Sequence, residues 1–268
     1  MKHVVETDVQ NLSEFLERWD PVADLASWKR GEEAGLSLID SQVRYEDTIL
    51  PDHVGETYHG HKGLVRATER WFEPYGSLDV ELLRIVVAAE RVVSLHRFRM
   101  KARHTGIELD GDLIYVWTFE GGKVTHLKSY GEEDKAFDFA GVSEELRTAD
   151  RFLTALGEHD YDIAARELHP ELEIDDRDIP ESTGSDSFRI WLARWDESWD
   201  DWRAEQAVLE AAAADRVLSR FRMVARGKGS GIDVARDDAV LLGFRSAKIA
   251  RIGYYSDQAQ ALADAYGP

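Results

Sequence analysis

The chain contains no cysteine among its 268 residues. That removes disulfides, thiolate nucleophiles and cysteine-based zinc sites together, and it suits a reducing compartment. Positive charge is also scarce: 33 Lys and Arg stand against 52 Asp and Glu, a formal net charge of −19. Such a field repels phosphate backbones and anionic headgroups, so neither nucleic acid nor a membrane surface is expected as a partner. No apolar run approaches the ~18 residues of a membrane-spanning helix, and the opening MKHVVETDVQ lacks the apolar core of a secretory signal. A cytoplasmic location is expected. No G-x-S-x-G nucleophile elbow occurs, and the run from Gly227 to Gly231 shares only its composition with a phosphate loop.

What is present is apolar and aromatic. A hydrophobic content of 43%, with 10% aromatics and eight Trp, excludes a disordered chain despite 32% charged residues. The length favours two domains on a prior of roughly 100 to 200 residues each. Self-similarity points the same way. Arg97 to Arg103 reads RFRMKAR and returns at Arg220 to Arg226 as RFRMVAR. HTGIEL from His104 meets GSGIDV from Gly229, and FEGGKVTHLKSY from Phe119 meets FRSAKIARIGYY from Phe244. On this alignment the offset between copies moves from 123 to 125 residues, an insertion at Gly227 to Gly229 that a hairpin turn tolerates. Two domains are expected, 1–143 and 149–268.

Each half opens with helical periodicity: Val9, Leu12, Phe15, Leu16 and Trp19 in the first, Phe152, Leu153 and Leu156 in the second. A strand follows (Gln42 to Asp47; Glu171 to Asp176), then a helix (Lys62 to Phe72; Phe188 to Trp199). Four long strands come next, at Leu78–Ala88, Val92–Arg103, Ile107–Phe119 and Val124–Tyr130 in the first copy, and a short helix closes each half. Helices first and an antiparallel meander after predict an α+β class: two tandem cone-shaped domains, each with N-terminal helices packed in a strongly curved antiparallel sheet.

Tyr45-Glu46-Asp47 at a strand end, Gly60-His61-Lys62-Gly63 at a helix start, then Thr-Gly-Ile and Phe-x-x-Gly-Lys-Val carry a resemblance. The chain resembles the SnoaL-like branch of the nuclear-transport-factor-2-like superfamily, twice over. The resemblance implies a small-molecule pocket; members include ketosteroid isomerases, polyketide cyclases, epoxide hydrolases and non-catalytic binding domains, so the fold leaves function open. It also implies that Asp47 and Asp176 fall where the isomerases carry their proton-transferring aspartate, and that Tyr115 falls near their second acid. The helix-1 tyrosine of those isomerases aligns with Phe152, and the first helix of copy one has no Tyr.

Alternation supplies directions independently of the family. Val43, Tyr45 and Asp47 share one strand face, and Asp47 therefore points with apolar residues. Such a carboxylate is either a pocket base or a cap for a neighbouring loop or helix. The next inward phase reads His96, Phe98, Met100 in the first copy and Ser219, Phe221, Met223 in the second. His96 is either a hydrogen-bonded core residue or an acid/base group. Tyr115 has Val240 as its counterpart. The expected catalytic set is thus Asp47, His96 and Tyr115, which calls for no metal and no cofactor. Tyr45, Phe98, Met100, Trp117 and Ser129, with Asp176 and Tyr254 of the second copy, complete the expected ligand-lining set. His59-Gly60-His61 reads as a turn into a helix, and Trp191, Trp195, Trp199 and Trp202 read as core or inter-copy packing. The expected function is a cofactor-free acid/base enzyme of isomerase, cyclase or epoxide-opening type acting on a hydrophobic small molecule in copy one. The alternative is a non-catalytic ligand-binding or dimerisation module. Copy two is expected to be mainly structural, paired with copy one as an intrachain pseudo-dimer.

Overall fold

The computed structural model describes residues 6–30, 36–49, 55–176, 179–183 and 186–267. The chain divides into two compact units, Met1–Val142 and Ser143–Pro268.

In the first unit, α1 (Glu6–Glu17) and α2 (Pro21–Lys29) precede β1 (Ile39–Asp47), β2 (Glu56–His59) and α3 (Gly60–Phe72). The strands β3 (Tyr75–Val87), β4 (Arg91–Ala102), β5 (Glu108–Glu120) and β6 (Lys123–Tyr130) follow, and α4 (Glu133–Ala140) closes the unit. Val9, Leu12 and Leu16 form the buried stripe of α1, as their spacing requires. Gly60 starts α3 at φ +65, and a Cβ there would lie 2.8 Å from the Ser41 carbonyl oxygen, so only glycine fits this corner. His61 turns back to the Ile39 carbonyl at 3.0 Å. Gly141, in the left-handed region at φ 73, ends α4.

The second unit repeats this order: α5 (Glu144–Gly157), α6 (Tyr161–Arg166), β7 (Leu168–Asp176), β8 (Ile179–Thr183), α7 (Ser187–Ser198), β9 (Trp199–Ala213), β10 (Arg216–Gly227), β11 (Asp233–Arg245), β12 (Lys248–Tyr255) and α8 (Gln258–Tyr266). Ser143, Asp160 and Asp257 cap α5, α6 and α8 with their side chains.

Within the first unit the strands run in the order β2-β1-β6-β5-β4-β3, and within the second β8-β7-β12-β11-β10-β9. The class is α+β, and each curved sheet is mixed rather than purely antiparallel. β1 pairs parallel to β6 and β7 parallel to β12, because the chain returns to its first strand only after a helix and four further strands. The register breaks between Leu82 and Arg84 and between Thr118 and Phe119, and such bulges bend the strands.

The register also corrects the sequence alignment. Ser94 lies opposite Tyr115, and Ser219 opposite Val240, so Ser94 and Ser219 are counterparts, 125 residues apart. His96 faces Leu113 and Phe221 faces Asp238; the counterpart of His96 is therefore Phe221, not Ser219. No insertion at Gly227 is needed. A shift of two residues leaves every side chain on its own face, which is why alternation placed the residues inside while matching the wrong pair.

Candidate functional site

Apolar side chains from α1, α2, α3 and the sheet leave an open cleft inside the first unit. Phe15, Trp19, Trp28, Trp71, Leu113 and Trp117 are among its walls. Its unfilled space, mouth included, comes to about 720 Å³. The lining is mainly apolar, and Tyr45, Tyr115 and Thr68 are the residues among it that carry hydroxyls.

Tyr45 and Tyr115 are both buried and both line the cleft. Burial first, then the neighbouring Asp47, pushes the Tyr115 phenol up; burial, Tyr115 and Asp47 do the same to Tyr45. Both hydroxyls therefore stay protonated and present donors. The Tyr45 hydroxyl donates to Ser129 Oγ at 3.5 Å, and Ser129 Oγ donates to Asp47 Oδ1 at 3.3 Å.

Asp47 stands behind this pair, 1% exposed, and does not line the cleft. Trp71 Nε1 donates to its Oδ2 at 2.8 Å and the Ile49 amide to its Oδ1 at 3.0 Å. With Ser129, three donors converge on Asp47 among the described residues.

His96 is equally buried, and burial pushes its pKa down to about 3, so the ring is neutral. Its Nε2 meets Ser94 Oγ at 2.8 Å, which also accepts from Trp117 Nε1 at 2.8 Å, while Nδ1 has no hydrogen-bond partner among the described residues. The imidazole packs edge-on against Tyr115 and Trp19, with centroids 5.9 and 5.6 Å apart. The fold thus joins Asp47 to Tyr45 through Ser129, while Tyr115 shares the cleft wall with Tyr45 and has His96 behind it as a ring contact. Phe98 and Trp117 line the cleft; Met100 is buried outside its lining.

The second unit fills the corresponding interior. Trp191, Trp195 and Trp202 stack in sequence, with centroids 5.7 and 5.2 Å apart, and Trp195 meets Tyr254 edge-on at 4.9 Å. Asp176 accepts from Trp191 Nε1 at 2.8 Å, as Asp47 does from Trp71, although Trp191 is the fifth residue of its helix and Trp71 the twelfth. Tyr254 donates to Asp238, which is fully buried and held by Arg236 through Nε at 2.6 Å and Nη2 at 2.9 Å. Sequence reasoning passed over Arg236 and Asp238, although both share the inward phase of Val240 and Leu242. Ser94 and Trp71 were missed as well; a serine inside a strand and a tryptophan on a helix carry no sequence signal of the partner they find.

Among curated proteins, none matches the chain significantly. Solved structures match it one unit at a time. A candidate polyketide cyclase of Xanthomonas campestris pv. campestris is 17% identical, with 46% of this chain and 96% of that one covered and a TM-score of 0.39. A candidate SnoaL-like polyketide cyclase of Jannaschia is 14% identical, covering 53% and 99% at a TM-score of 0.40. An NTF2-like protein of unknown function from Burkholderia pseudomallei is 18% identical, covering 50% and 97% at 0.38. The family model for the SnoaL-like domain matches residues 22–127 and again residues 149–252. The chain therefore belongs to the SnoaL-like domain family, with two copies of that domain in tandem.

Proposed function

We propose that the first unit binds a hydrophobic carbonyl compound and moves a proton on it, chemistry of the isomerase or cyclase kind that its own side chains supply. The observation that carries this reading is the pair of protonated phenols, Tyr45 and Tyr115, at an otherwise apolar cleft, with a carboxylate one serine behind. An entering carbonyl oxygen accepts from the Tyr115 hydroxyl, whose hydrogen bond strengthens as negative charge develops on it. The carbon-bound proton passes to the Tyr45 oxygen while the Tyr45 proton moves through Ser129 to Asp47. His96, neutral, supports the Tyr115 ring and carries no charge into the site.

A second reading, binding without chemistry, is favoured by a specific observation. The Asp–Trp bond recurs at Asp176 in the unit whose interior is filled, as a purely structural bond would.

One experiment separates the two. Hydrogen exchange at the α-carbon of a hydrophobic ketone such as α-tetralone is followed by NMR in D2O. Catalysed exchange is expected, and Tyr115→Phe lowers it by about 100-fold to 1,000-fold, the usual loss of one oxyanion donor. Wild-type exchange rates in both Tyr45→Phe and Tyr115→Phe would sink the catalytic reading. Saturable binding with no exchange above the buffer rate selects the binding reading.

A further inference from the structure

The outer face of the second unit's sheet, beneath α8, is built differently from that of the first. Val240, Leu242 and Tyr254 turn inward, so alternation turns Leu241, Gly243, Gly253 and Tyr255 outward, toward the helix. Across β10, β11, β12 and β7 the register sets Arg216, Gly243 and Arg251 in one row, and Leu241, Gly253 and Asp175 in the next. The same rows of the first unit read Arg91, Thr118 and His126, then Val116, Lys128 and Glu46. There Phe139 of α4 covers them, with Lys128 Nζ 4.8 Å and the Arg91 guanidinium 4.7 Å from its ring centre. The second unit has glycine in place of Thr118 and Lys128 and Asp264 in place of Phe139. An unfilled space of about 1060 Å³, mouth included, lies at that position.

Its walls carry both signs of charge. Arg216 donates from Nη1 to the Asp264 carbonyl at 3.1 Å, and Arg251 from Nη2 to Asp175 Oδ2 at 3.3 Å. Each of these bonds uses one of the several N–H groups of its guanidinium. Gly243 lies between the two arginines, whose Cα atoms strand spacing puts roughly 10 Å apart, so no side chain separates them in that row. The carboxylates are Asp175, half-exposed, and Asp264, whose Oδ1 accepts from Gln260 at 2.9 Å. The Tyr255 ring lies beside Gly253, and burial first, then Asp264, pushes its phenol up to about 12, which keeps it a donor.

The balance of charge selects the ligand. A simple anion held by the guanidiniums would face both carboxylates, and a simple cation held by the carboxylates would face both guanidiniums. A molecule that carries both signs gives each group a charge-assisted bond. Leu241 and Ala263 add an apolar wall for a short side chain.

We infer that the second unit carries, on the outer face of its sheet, a binding site for a zwitterion of the amino-acid kind: Arg216 and Arg251 take the carboxylate above Gly243, and Asp175 and Asp264 take the ammonium. The site lies on the opposite side of the sheet from the interior, and it is independent of the chemistry proposed for the first unit.

The test uses the full chain with 15N-labelled glycine and L-leucine as the probe. The controls are 4-methylpentanoate and 3-methylbutylamine, which are leucine without its ammonium and leucine without its carboxylate. The Gly243 amide resonance, identified by its loss in Gly243→Thr, shifts saturably with leucine, and either control binds about tenfold or more weakly. Arg251→Gln removes one partner of an exposed ion pair, so it retains the melting temperature while weakening leucine binding about tenfold or more. Asp264→Phe, which installs the residue of the first unit, abolishes the response. The inference is overturned if leucine gives no saturable shift, if either control binds as well as leucine, or if affinity is undiminished in either variant. Shifts confined to the Gly111 amide, beside Phe98 of the first cleft, also overturn it while leaving the first-unit reading standing.

Discussion

Thr68 and Trp195 are each the ninth residue of the helix that packs into their unit, α3 and α7. Thr68 is part of a cleft wall, whereas Trp195 stacks on Trp191, Trp202 and Tyr254 inside its own unit. The outer faces differ in the same manner. Phe139 of α4 packs against His126, Tyr130 and the Arg91 guanidinium, while its counterpart Asp264 leaves a polar cleft beside Gly253 and Tyr255. Arg91 and Arg216 meanwhile bond the same helix carbonyls, those of Phe139 and Asp264. The strand and helix frame is kept by backbone pairing and a few side-chain ties, and what fills it is free to change. One scaffold thus yields an open interior in one copy and a packed one in the other.

The largest test of that contrast is Trp195→Ala. If Trp195 is a filler with no ligand role, its loss destabilises the second unit by about 3–5 kcal/mol, the usual toll of an aromatic cavity, measured by urea unfolding of the full chain. A much smaller loss means that the space is not packed as described.

Next come the paired substitutions Asp47→Asn and Asp176→Asn, each of which weakens a charge-assisted bond to an indole by about 1–3 kcal/mol. Equal stability losses mark a shared structural tie. A loss of catalysed exchange in Asp47→Asn alone assigns the first carboxylate a chemical task beyond that tie.

The smallest effect is one of slope. His96, with a folded pKa of about 3, stays neutral while the unfolded chain protonates near 6.5. The unfolded state binds more protons between those values, so stability falls as pH drops from ~6.5 to ~3, by about 1.4 kcal/mol per pH unit, and levels off below. His96→Phe installs the residue of the second unit and should remove this part of the acid slope. Thermal melts from pH 7 to pH 4 that remain parallel for the two proteins would show that His96 is not held neutral.

The element order was legible because each element is longer than its own period. The helical stripe of Val9, Leu12 and Leu16 and the two-residue alternation of Val43, Tyr45 and Asp47 both fall on the buried side. The parallel return of β6 onto β1 was not legible, since nothing in a strand's period names its neighbour. The same blindness explains the site. Alternation turned Asp47 inward but could not show that Ser129, Tyr45 and Trp71 stand between it and the cleft. It turned Tyr45 inward too, without revealing its bond to Ser129. The repeated RFRM then misled, because a match displaced by two residues keeps every face correct and every counterpart wrong.

The parallel strand pairs also pose a problem of self-recognition during synthesis. β1 waits for β6, whose Val124 pairs with Ile39, while the chain later offers β12, the strand in the same place of the second unit. Chains with repeated folds misassemble by such exchanges. Charge opposes this one. In its own pair Arg44 lies opposite His126 and Glu46 opposite Lys128, while Glu173 lies opposite Arg251. Were β12 to take the place of β6, Arg251 would stand against Arg44, two cations across adjacent strands, and Glu46 would face Gly253 with no counter-charge. The outer row of β1, which never touches the cleft, thus labels the strand for its proper mate.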